Sequence, residues 1–223
     1  MTTVAAKPSP RQMALEVQKA RRRLYPVSIL YSLFSFAVMA VALQRRPFVA
    51  IAFYALGIAF WTALEYWSHR YILHVDWPDG PGFFEHLLHK YFDHLHNEHH
   101  KRPWDGNHIN GTIGDTLAIV AVLALLSLLF PIETMFAWLA GLLHSYIAEE
   151  WIHLSVHFYR FRNPYFRYIR RHHLYHHSPK GMGVAYGLSN GFWDVVLGTR
   201  IPVAIRRALH ERRVGRQASS QAA

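Results

Sequence analysis

Ten histidines form four short clusters whose spacing suits metal ligation. The clusters follow the patterns H-x4-H, H-x2-HH, H-x3-H and again H-x2-HH, and their members are His69, His74, His96, His99, His100, His153, His157, His173, His176 and His177. Residues three and four positions apart share a face of a helix, so each cluster is expected to direct two or three ring nitrogens towards one point. Imidazole is a suitable ligand for iron, zinc and copper. Ten imidazoles exceed the needs of one ion, so the spacing predicts two metal ions, each with an open position.

The other histidines and the absence of cysteine narrow the kind of site. The chain has 17 histidines and no cysteine, so imidazole and carboxylate are its available ligands. His94 competes with His96 for the first place in its cluster, and the spacing favours His96. We expect His86, His89, His94 and His172 at the surface or along a substrate path. No role is assigned to His108, His144 or His210.

Five carboxylates are predicted to support the ligands. Glu65 lies four residues before His69, and Glu149 and Glu150 lie four and three residues before His153. A carboxylate at that distance on a helix can accept a hydrogen bond from the second ring nitrogen of a ligand and fix its tautomer. Asp105 and Asp194 are further candidates for this supporting role. The alternative for each of the three glutamates is a solvated carboxylate at a helix end.

Four apolar runs predict an integral membrane protein. Apolar residues make up 52% of the chain and charged residues only 17%, against roughly 25% charged in soluble domains. The runs are 26–44, 47–67, 116–130 and 135–151, and the first two approach the roughly 20 residues needed to cross a bilayer. A buried helix of a soluble protein is the alternative for 116–130. If the runs form two hairpins, 22 basic residues lie on the side of both termini and two on the other. This asymmetry predicts that the termini and all four histidine clusters are cytoplasmic.

The charge pattern also predicts the domain organisation. Residues 1–25 are a basic cytosolic segment, in which 11–25 form either an amphipathic helix on the membrane surface or a solvated tail. Residues 26–212 form the membrane domain, and residues 213–223 are a disordered tail. The formal charge of +10 is explained by anionic lipid headgroups. No nucleic-acid motif is present, and we expect no nucleic-acid partner.

The motifs resemble those of the fatty acid hydroxylase superfamily, which includes sterol desaturases and C4-methyl oxidases. The resemblance is carried by LEYWSHRYILH, HNEHHKRPWDG, WIHLSVH, and HLYHH followed by GMGVAYGLSNGFWDVVLGT. It covers roughly residues 60 to 200 and is greatest for the fatty acid 2-hydroxylases. The resemblance implies an all-α fold with four transmembrane helices and a cytosolic helical cap. It also implies that the ten histidines hold a dimetal centre of two iron ions, with zinc as an occupant after purification.

The implied function is O2-dependent hydroxylation of a lipid acyl chain. A membrane lipid is then the substrate, and O2 is the co-substrate. No fused cytochrome b5 domain precedes the first span, so we expect a separate electron donor, cytochrome b5-like or ferredoxin-like. We also expect a bacterial cytoplasmic membrane rather than the endoplasmic reticulum. Trp61, Tyr66, Trp67 and Phe84 are candidates to line the substrate route.

Several alternatives remain open from the sequence. A sterol or carotenoid hydroxylase or desaturase would use the same ligands. A non-enzymatic membrane metal-binding protein is an alternative of a different class, but a transporter should place ligands within the membrane along a path. A purely structural zinc site usually has four ligands. The segment 158–171 is basic and aromatic, and it fits either lipid headgroups or an acidic redox partner. The sequence does not predict the oligomeric state.

Overall fold

All the regular secondary structure in the described part of the chain is helical. The computed structural model of the protein describes residues 8–89, 94–209 and 211, and these contain no strand. The predicted tail 213–223 and His210 lie outside the described residues, as does the side chain of His94. The principal helices are α1 (Pro10–Arg45), α2 (Pro47–Ser68), α3 (Phe83–Leu88), α4 (His94–Lys101), α5 (Ile113–Ser127), α6 (Ala137–Phe158), α7 (Pro164–His176) and α8 (Phe192–Val196). The all-α prediction is confirmed for these residues.

Two π-helical turns extend the long helices. His69–Leu73 continues α2, and Ile132–Phe136 leads into α6. A π turn shifts the side chains that follow it and is often found at functional sites. The first of these turns carries His69 at its start and ends just before His74.

Helix α1 begins at a capping box and ends at a proline. Ser9 accepts a hydrogen bond from the backbone N–H of Gln12, and the Gln12 side chain accepts one from the N–H of Ser9. The helix then continues through Pro26, so the predicted boundary at residues 25 and 26 falls inside one helix. Arg46 alone separates α1 from α2, because Pro47 is disfavoured in the interior of a helix but suits the first position of the next. This arrangement produces the first predicted hairpin.

Two helical segments are long and apolar enough to cross a membrane. They are Pro10–Arg45 and Pro47–Leu73, and α5 is a shorter apolar helix. Only 11% of the most apolar window of Pro47–Leu73 is buried. A core helix of a soluble protein would be mostly buried, whereas an exposed apolar surface of this size is expected for lipid contact. Membrane association is therefore indicated by α1 and α2.

Helix α6 packs against both α1 and α2. The main core cluster joins Val27 and Tyr31 of α1 to Leu139, Leu142, Leu143, Tyr146 and Ile147 of α6. Helices α2 and α6 cross very closely, because a Cβ atom on Gly57 would lie 2.0 Å from the carbonyl oxygen of Trp138, and one on Gly141 would lie 2.0 Å from that of Tyr54. Small residues permit such an approach between membrane helices. The crossing positions the end of α2 beside the end of α6, where two histidine clusters begin.

The basic start of α1 packs on the loop that follows α4. Ala20 and Leu24 are fully buried against Ile109 and Leu154. Glu16 accepts a hydrogen bond from the Gly106 backbone N–H at 2.9 Å. Residues 11–25 are therefore helical and are not a solvated tail, and they continue directly into the apolar part of α1. The apolar face of this segment is used to hold the loop at 106–112.

Candidate metal centre

The ten predicted ligands come together in two groups of five. Cluster A consists of His69, His74, His96, His100 and His176, and cluster B consists of His99, His153, His157, His173 and His177. Within each cluster, the candidate ligand atoms all lie within 4.8 Å of one another. The π turn after α2 and the residue that follows it supply two members of cluster A, and α6 supplies two members of cluster B. Helices α4 and α7, with His177 at the end of α7, supply the others.

The partition within α4 and α7 differs from the expected convergence on one point. His96 and His100, four residues apart, join cluster A, whereas His99 joins cluster B. On α7, His173 and His177 join cluster B and His176 joins cluster A. Adjacent residues on a helix of 3.6 residues per turn point about 100° apart. Each of these helices therefore lies between the clusters and contributes to both.

The nitrogen spacing fits a metal ion in each cluster. In cluster A, Nε2 of His74 lies 2.9 Å from Nε2 of His176 and 3.2 Å from that of His69. In cluster B, Nε2 of His173 lies 2.8 Å from Nε2 of His157 and 3.0 Å from that of His177. Two imidazole nitrogens bound at right angles to one ion, each at about 2.0–2.1 Å, would be about 3 Å apart. The residues present therefore fit the ligand shell of a transition metal.

Backbone carbonyls orient two of the ligands in cluster A. His69 donates from Nδ1 to the carbonyl oxygen of Tyr186, and His176 donates from Nδ1 to that of Val184 at 2.8 Å. A proton on Nδ1 leaves the lone pair on Nε2, which faces the cluster. The segment 184–186 therefore fixes the tautomers of two ligands, and its Ala185 has a left-handed backbone with φ of 62°.

Burial keeps the imidazoles neutral. It lowers the pKa of His74 to about 4 and that of His176 to about 3. Burial, with the nearby His176 and His74, lowers the pKa of His100 to about 2. Metal binding requires the neutral form of histidine. The clusters are therefore ready to bind metal at neutral pH without releasing protons from these rings.

Two of the three predicted glutamates, Glu65 and Glu150, bind loops instead of ligand histidines. Glu65 accepts hydrogen bonds from the backbone N–H groups of Leu188 at 2.6 Å and Ser189 at 2.7 Å, and also from the Ser189 hydroxyl. Glu150 accepts one from the Asn110 side chain at 2.5 Å. This differs from the predicted role of fixing ligand tautomers, because loop donors distant in sequence occupy these oxygens. Glu149 is buried, and its electrostatic partners are the other two glutamates.

Asp194 supports the site indirectly, through the backbone of Tyr186. It is fully buried and accepts four hydrogen bonds, from the backbone N–H groups of Tyr186 and Gly187, the Thr199 hydroxyl and Nε2 of His172. Burial by itself would raise the pKa of Asp194, but the hydrogen bonds from His172, Thr199 and Gly187 hold it below its usual value. Asp194 therefore holds the residue whose carbonyl orients His69.

Asp105 has a local role in the loop after α4. It accepts hydrogen bonds from the Asn107 N–H and from Nδ1 of His108, and it pairs with Arg102 at 3.2 Å. These contacts are all within three residues, so Asp105 stabilises a turn and does not contact a ligand. The position of Asp105 in the motif HNEHHKRPWDG did not show whether this residue supports a metal ligand or stabilises a turn.

The remaining described histidines divide between the surface and the interior. His172 was expected at the surface or along a substrate path, but it is only 3% exposed and is hydrogen-bonded to Asp194. His86 is exposed and contacts Asp79, and His89 donates to the carbonyl of Trp77. His144 lies on α6, 2.8 Å from the Tyr54 hydroxyl.

Sequence reasoning did not identify Tyr186, Val184, Ser189 and Asn110 as parts of the site. The first three lie in GMGVAYGLSNGFWD, a stretch that was recognised only as a family motif. The glycines of this stretch are the sequence signal that could have identified these residues. They are needed for close packing, because a Cβ on Gly187 would lie 1.8 Å from the carbonyl oxygen of Asn190. Such crowding indicates a tightly folded loop whose backbone groups are available for specific contacts.

Comparisons with known proteins identify the family of the chain. The family model described as fatty acid hydroxylase matches residues 54–199. The chain is 32% identical over 149 residues to the dihydroceramide fatty acyl 2-hydroxylase FAH2 of Arabidopsis thaliana, covering 65% of this chain and 59% of that protein. It is 30% identical over 168 residues to the ceramide very long chain fatty acid hydroxylase SCS7 of Saccharomyces cerevisiae, covering 72% and 41%.

A solved structure also matches the fold. It is described as full-length scs7p with only the hydroxylase domain visible, and it superposes with a TM-score of 0.67 at 25% identity. The match covers 80% of this chain and 67% of that chain. The chain thus spans about half the length of the curated relatives that it matches, and it belongs to the fatty acid hydroxylase family.

Proposed function

We propose that this chain is a membrane-bound, O2-dependent di-iron hydroxylase of lipid acyl chains, similar in action to fatty acid 2-hydroxylases. The observation that carries the proposal is the pair of five-histidine clusters, each with its ligand atoms within 4.8 Å. The names of the relatives, which are fatty acyl and ceramide fatty acid hydroxylases, support the substrate class. We infer two iron ions as the native metals and zinc as an occupant after purification.

The proposed architecture has four membrane spans below a cytosolic cap. The surplus of basic residues on the side of the clusters supports this orientation. Helix α5 supports a third span, because Leu117, Ile119 and Val122 on its outer face are exposed. The two termini and both clusters are then cytoplasmic, and we favour a bacterial cytoplasmic membrane.

The protein contributes orientation and exclusion of water. Bound iron would supply the activation of O2 and the oxidising power needed to attack an unactivated C–H bond. Five imidazoles per ion leave few positions for other ligands, and the backbone carbonyls of Tyr186 and Val184 hold two imidazoles in place. His99, His173 and His176 are at most 2% exposed. This burial keeps bulk water away from the reacting carbon.

Exposed aromatic residues support entry of the substrate from the bilayer. Trp67 and Phe84 are 49% and 74% exposed; Trp67 lies on α2 shortly before His69, and Phe84 lies on α3, which precedes α4 in the chain. Tyr66 was also a candidate to line the substrate route, but it is fully buried and its hydroxyl is hydrogen-bonded to that of Thr199. Trp61 packs against the main core cluster. We therefore assign the entry route to the exposed pair.

The reaction also needs electrons from outside the described fold. We propose a separate donor protein, cytochrome b5-like or ferredoxin-like. The test must therefore supply such a donor, because a missing donor would imitate a missing activity.

Lipid mass spectrometry under 18O2 tests the proposal. The wild-type protein and the His176→Ala, His177→Ala variant, which loses one ligand from each cluster, are expressed in the same host with a competent donor. We expect a hydroxylated lipid that carries one labelled oxygen with the wild type and none with the variant. The His86→Ala variant, which removes an exposed histidine, controls for metal content and should match the wild type.

Two results would contradict hydroxylation. A product lighter by two hydrogens and without label would identify a desaturase that uses the same ligands. No lipid change with metal-loaded protein and an active donor, across acyl, sterol and carotenoid substrates, would support a non-enzymatic metal-binding protein.

A further inference from the structure

The positive charge of the protein is concentrated in its last third. Residues 152–223 contain 12 of the 24 basic side chains but only two of the 14 acidic ones, Asp194 and Glu211. The formal charge of this segment, +10, therefore equals that of the whole chain. General attraction to a membrane surface needs no particular arrangement of such charges. A cavity that gathers several of them is a different feature.

A cavity between α7 and the helical residues 203–209 gathers three of these arginines. It has a volume of about 260 Å3. Its walls include Tyr168, Arg171, His172, Arg200, Ile201 and Arg206. We call it the cap cavity. It lies outside both metal clusters, and His172 forms the wall nearest to them.

The guanidinium groups of the cap cavity have no carboxylate among the lining residues. Nε of Arg206 is buried and lacks a hydrogen-bond partner among the described residues. The neighbouring carboxylate, Asp194, already accepts four hydrogen bonds behind His172. A buried polar nitrogen without a partner is costly, so Nε of Arg206 is available to bind a water, an ion or a ligand.

The arginine side chains that line the cap cavity determine which kind of ligand it can bind. A guanidinium presents a planar set of donors that matches the oxygens of a phosphate group. Three such groups suit a phosphate, which has several acceptor oxygens and up to two negative charges, better than a single carboxylate. The volume lies just below that of pockets for drug-sized ligands, so it fits a headgroup rather than an acyl chain. We propose that the cap cavity binds a phosphate group.

The cavity is connected to the metal centre by hydrogen bonds. His172 in its wall donates to Asp194, and Asp194 accepts from the backbone N–H of Tyr186. The carbonyl of Tyr186 orients His69 of cluster A. A phosphate in the cavity should therefore stabilise the folded cap, including the segment that holds this ligand.

Thermal unfolding and direct binding test the proposal on the full chain in detergent. Inorganic phosphate is compared with chloride at equal ionic strength. We expect phosphate to raise the Tm of the wild type, and isothermal calorimetry to show saturable binding. The Arg200→Gln, Arg206→Gln variant should bind phosphate at least about tenfold more weakly, since each charge-assisted bond contributes at least that factor. The Arg22→Gln, Arg45→Gln variant removes the same charge from exposed positions of α1 and should bind as the wild type does.

The same variants distinguish the two sources of a phosphate group. Nanodiscs of phosphatidylcholine with phosphatidic acid present a lipid headgroup, whereas glycerol 3-phosphate presents a soluble one. Binding of the nanodisc phosphate alone would identify a lipid site, and binding of both would identify a site open to soluble phosphates. Arg206→Lys, which keeps the charge, controls for folding and should retain part of the binding. If the wild type bound none of these three phosphate sources, or if the Arg200→Gln, Arg206→Gln variant bound each of them as well as the wild type does, the proposal would be overturned.

Discussion

Replacing Asp194 with asparagine tests how the metal centre is supported. One carboxylate oxygen accepts from the Tyr186 N–H and the Thr199 hydroxyl, and the other accepts from the Gly187 N–H and His172. An amide replaces one oxygen with a donor, so in either orientation one backbone N–H and one side-chain donor lose their acceptor. Hydrogen bonds to a charged group contribute about 1.5–3 kcal/mol each, so the loss of two should destabilise the fold by about 3–6 kcal/mol.

The metal content of the Asp194→Asn variant should fall unevenly. Tyr186 orients His69, which belongs to cluster A, so cluster A should lose affinity by about 10–100-fold, as is typical when the support of a ligand is removed. Chelator competition followed by elemental analysis would measure this as a fall from two ions per chain towards one. Asp79→Asn, which alters an exposed carboxylate, is the matched control. Two tightly held ions and an unchanged Tm in the Asp194→Asn variant would refute the reasoning.

Three further predictions follow from the clusters and the helix crossing. His176→Ala should remove the ion of cluster A and His173→Ala that of cluster B, so each should leave about one ion per chain in elemental analysis; loss of both ions from either variant would contradict independent sites. Burial lowers the pKa of His74 to about 4, below its value of about 6.5 in an unfolded chain. The unfolded state therefore binds more protons, and the Tm of the metal-free protein should fall as the pH drops from 7 to 5. A Tm independent of pH would contradict this prediction. Gly141→Ala places a Cβ 2.0 Å from a backbone carbonyl of α2 and should cost about 3 kcal/mol, visible as a lower Tm, whereas Gly183→Ala meets no atom within 4 Å and should be neutral.

The histidine spacing predicted which histidines form the site, but it did not predict how they divide between clusters A and B. H-x2-HH patterns on α4 and α7 identified six ligands, because helical geometry is local. Which of them share an ion depends on how α4 and α7 lie relative to α2 and α6, and that arrangement is tertiary. His99 and His100 are adjacent in sequence but join different clusters for this reason.

The supporting carboxylates show the same limit. Glu65 was paired with His69 because the two are four residues apart, but its oxygens bind the backbone at Leu188 and Ser189, more than 120 residues away. The ligand is instead oriented by a backbone carbonyl, which has no signature in the sequence. Apolar runs located the long helices well, since α2 begins at Pro47 as predicted. They did not show that the start of α1 packs on the cap, because its few apolar residues are spaced among basic ones.

The adjacent pairs His99–His100 and His176–His177 have a consequence for the distance between the two histidine clusters. In both pairs the ring centroids are 6.0 Å apart, and in both pairs one ring belongs to each cluster. The two residues of a pair are neighbours on one helical turn, so local backbone geometry and side-chain rotamers set the offset between the clusters at two places. Loop movements can open or close access to the centre while leaving this offset unchanged. A related protein that needed a different metal separation would have to change the histidine pattern itself, not the loops around it.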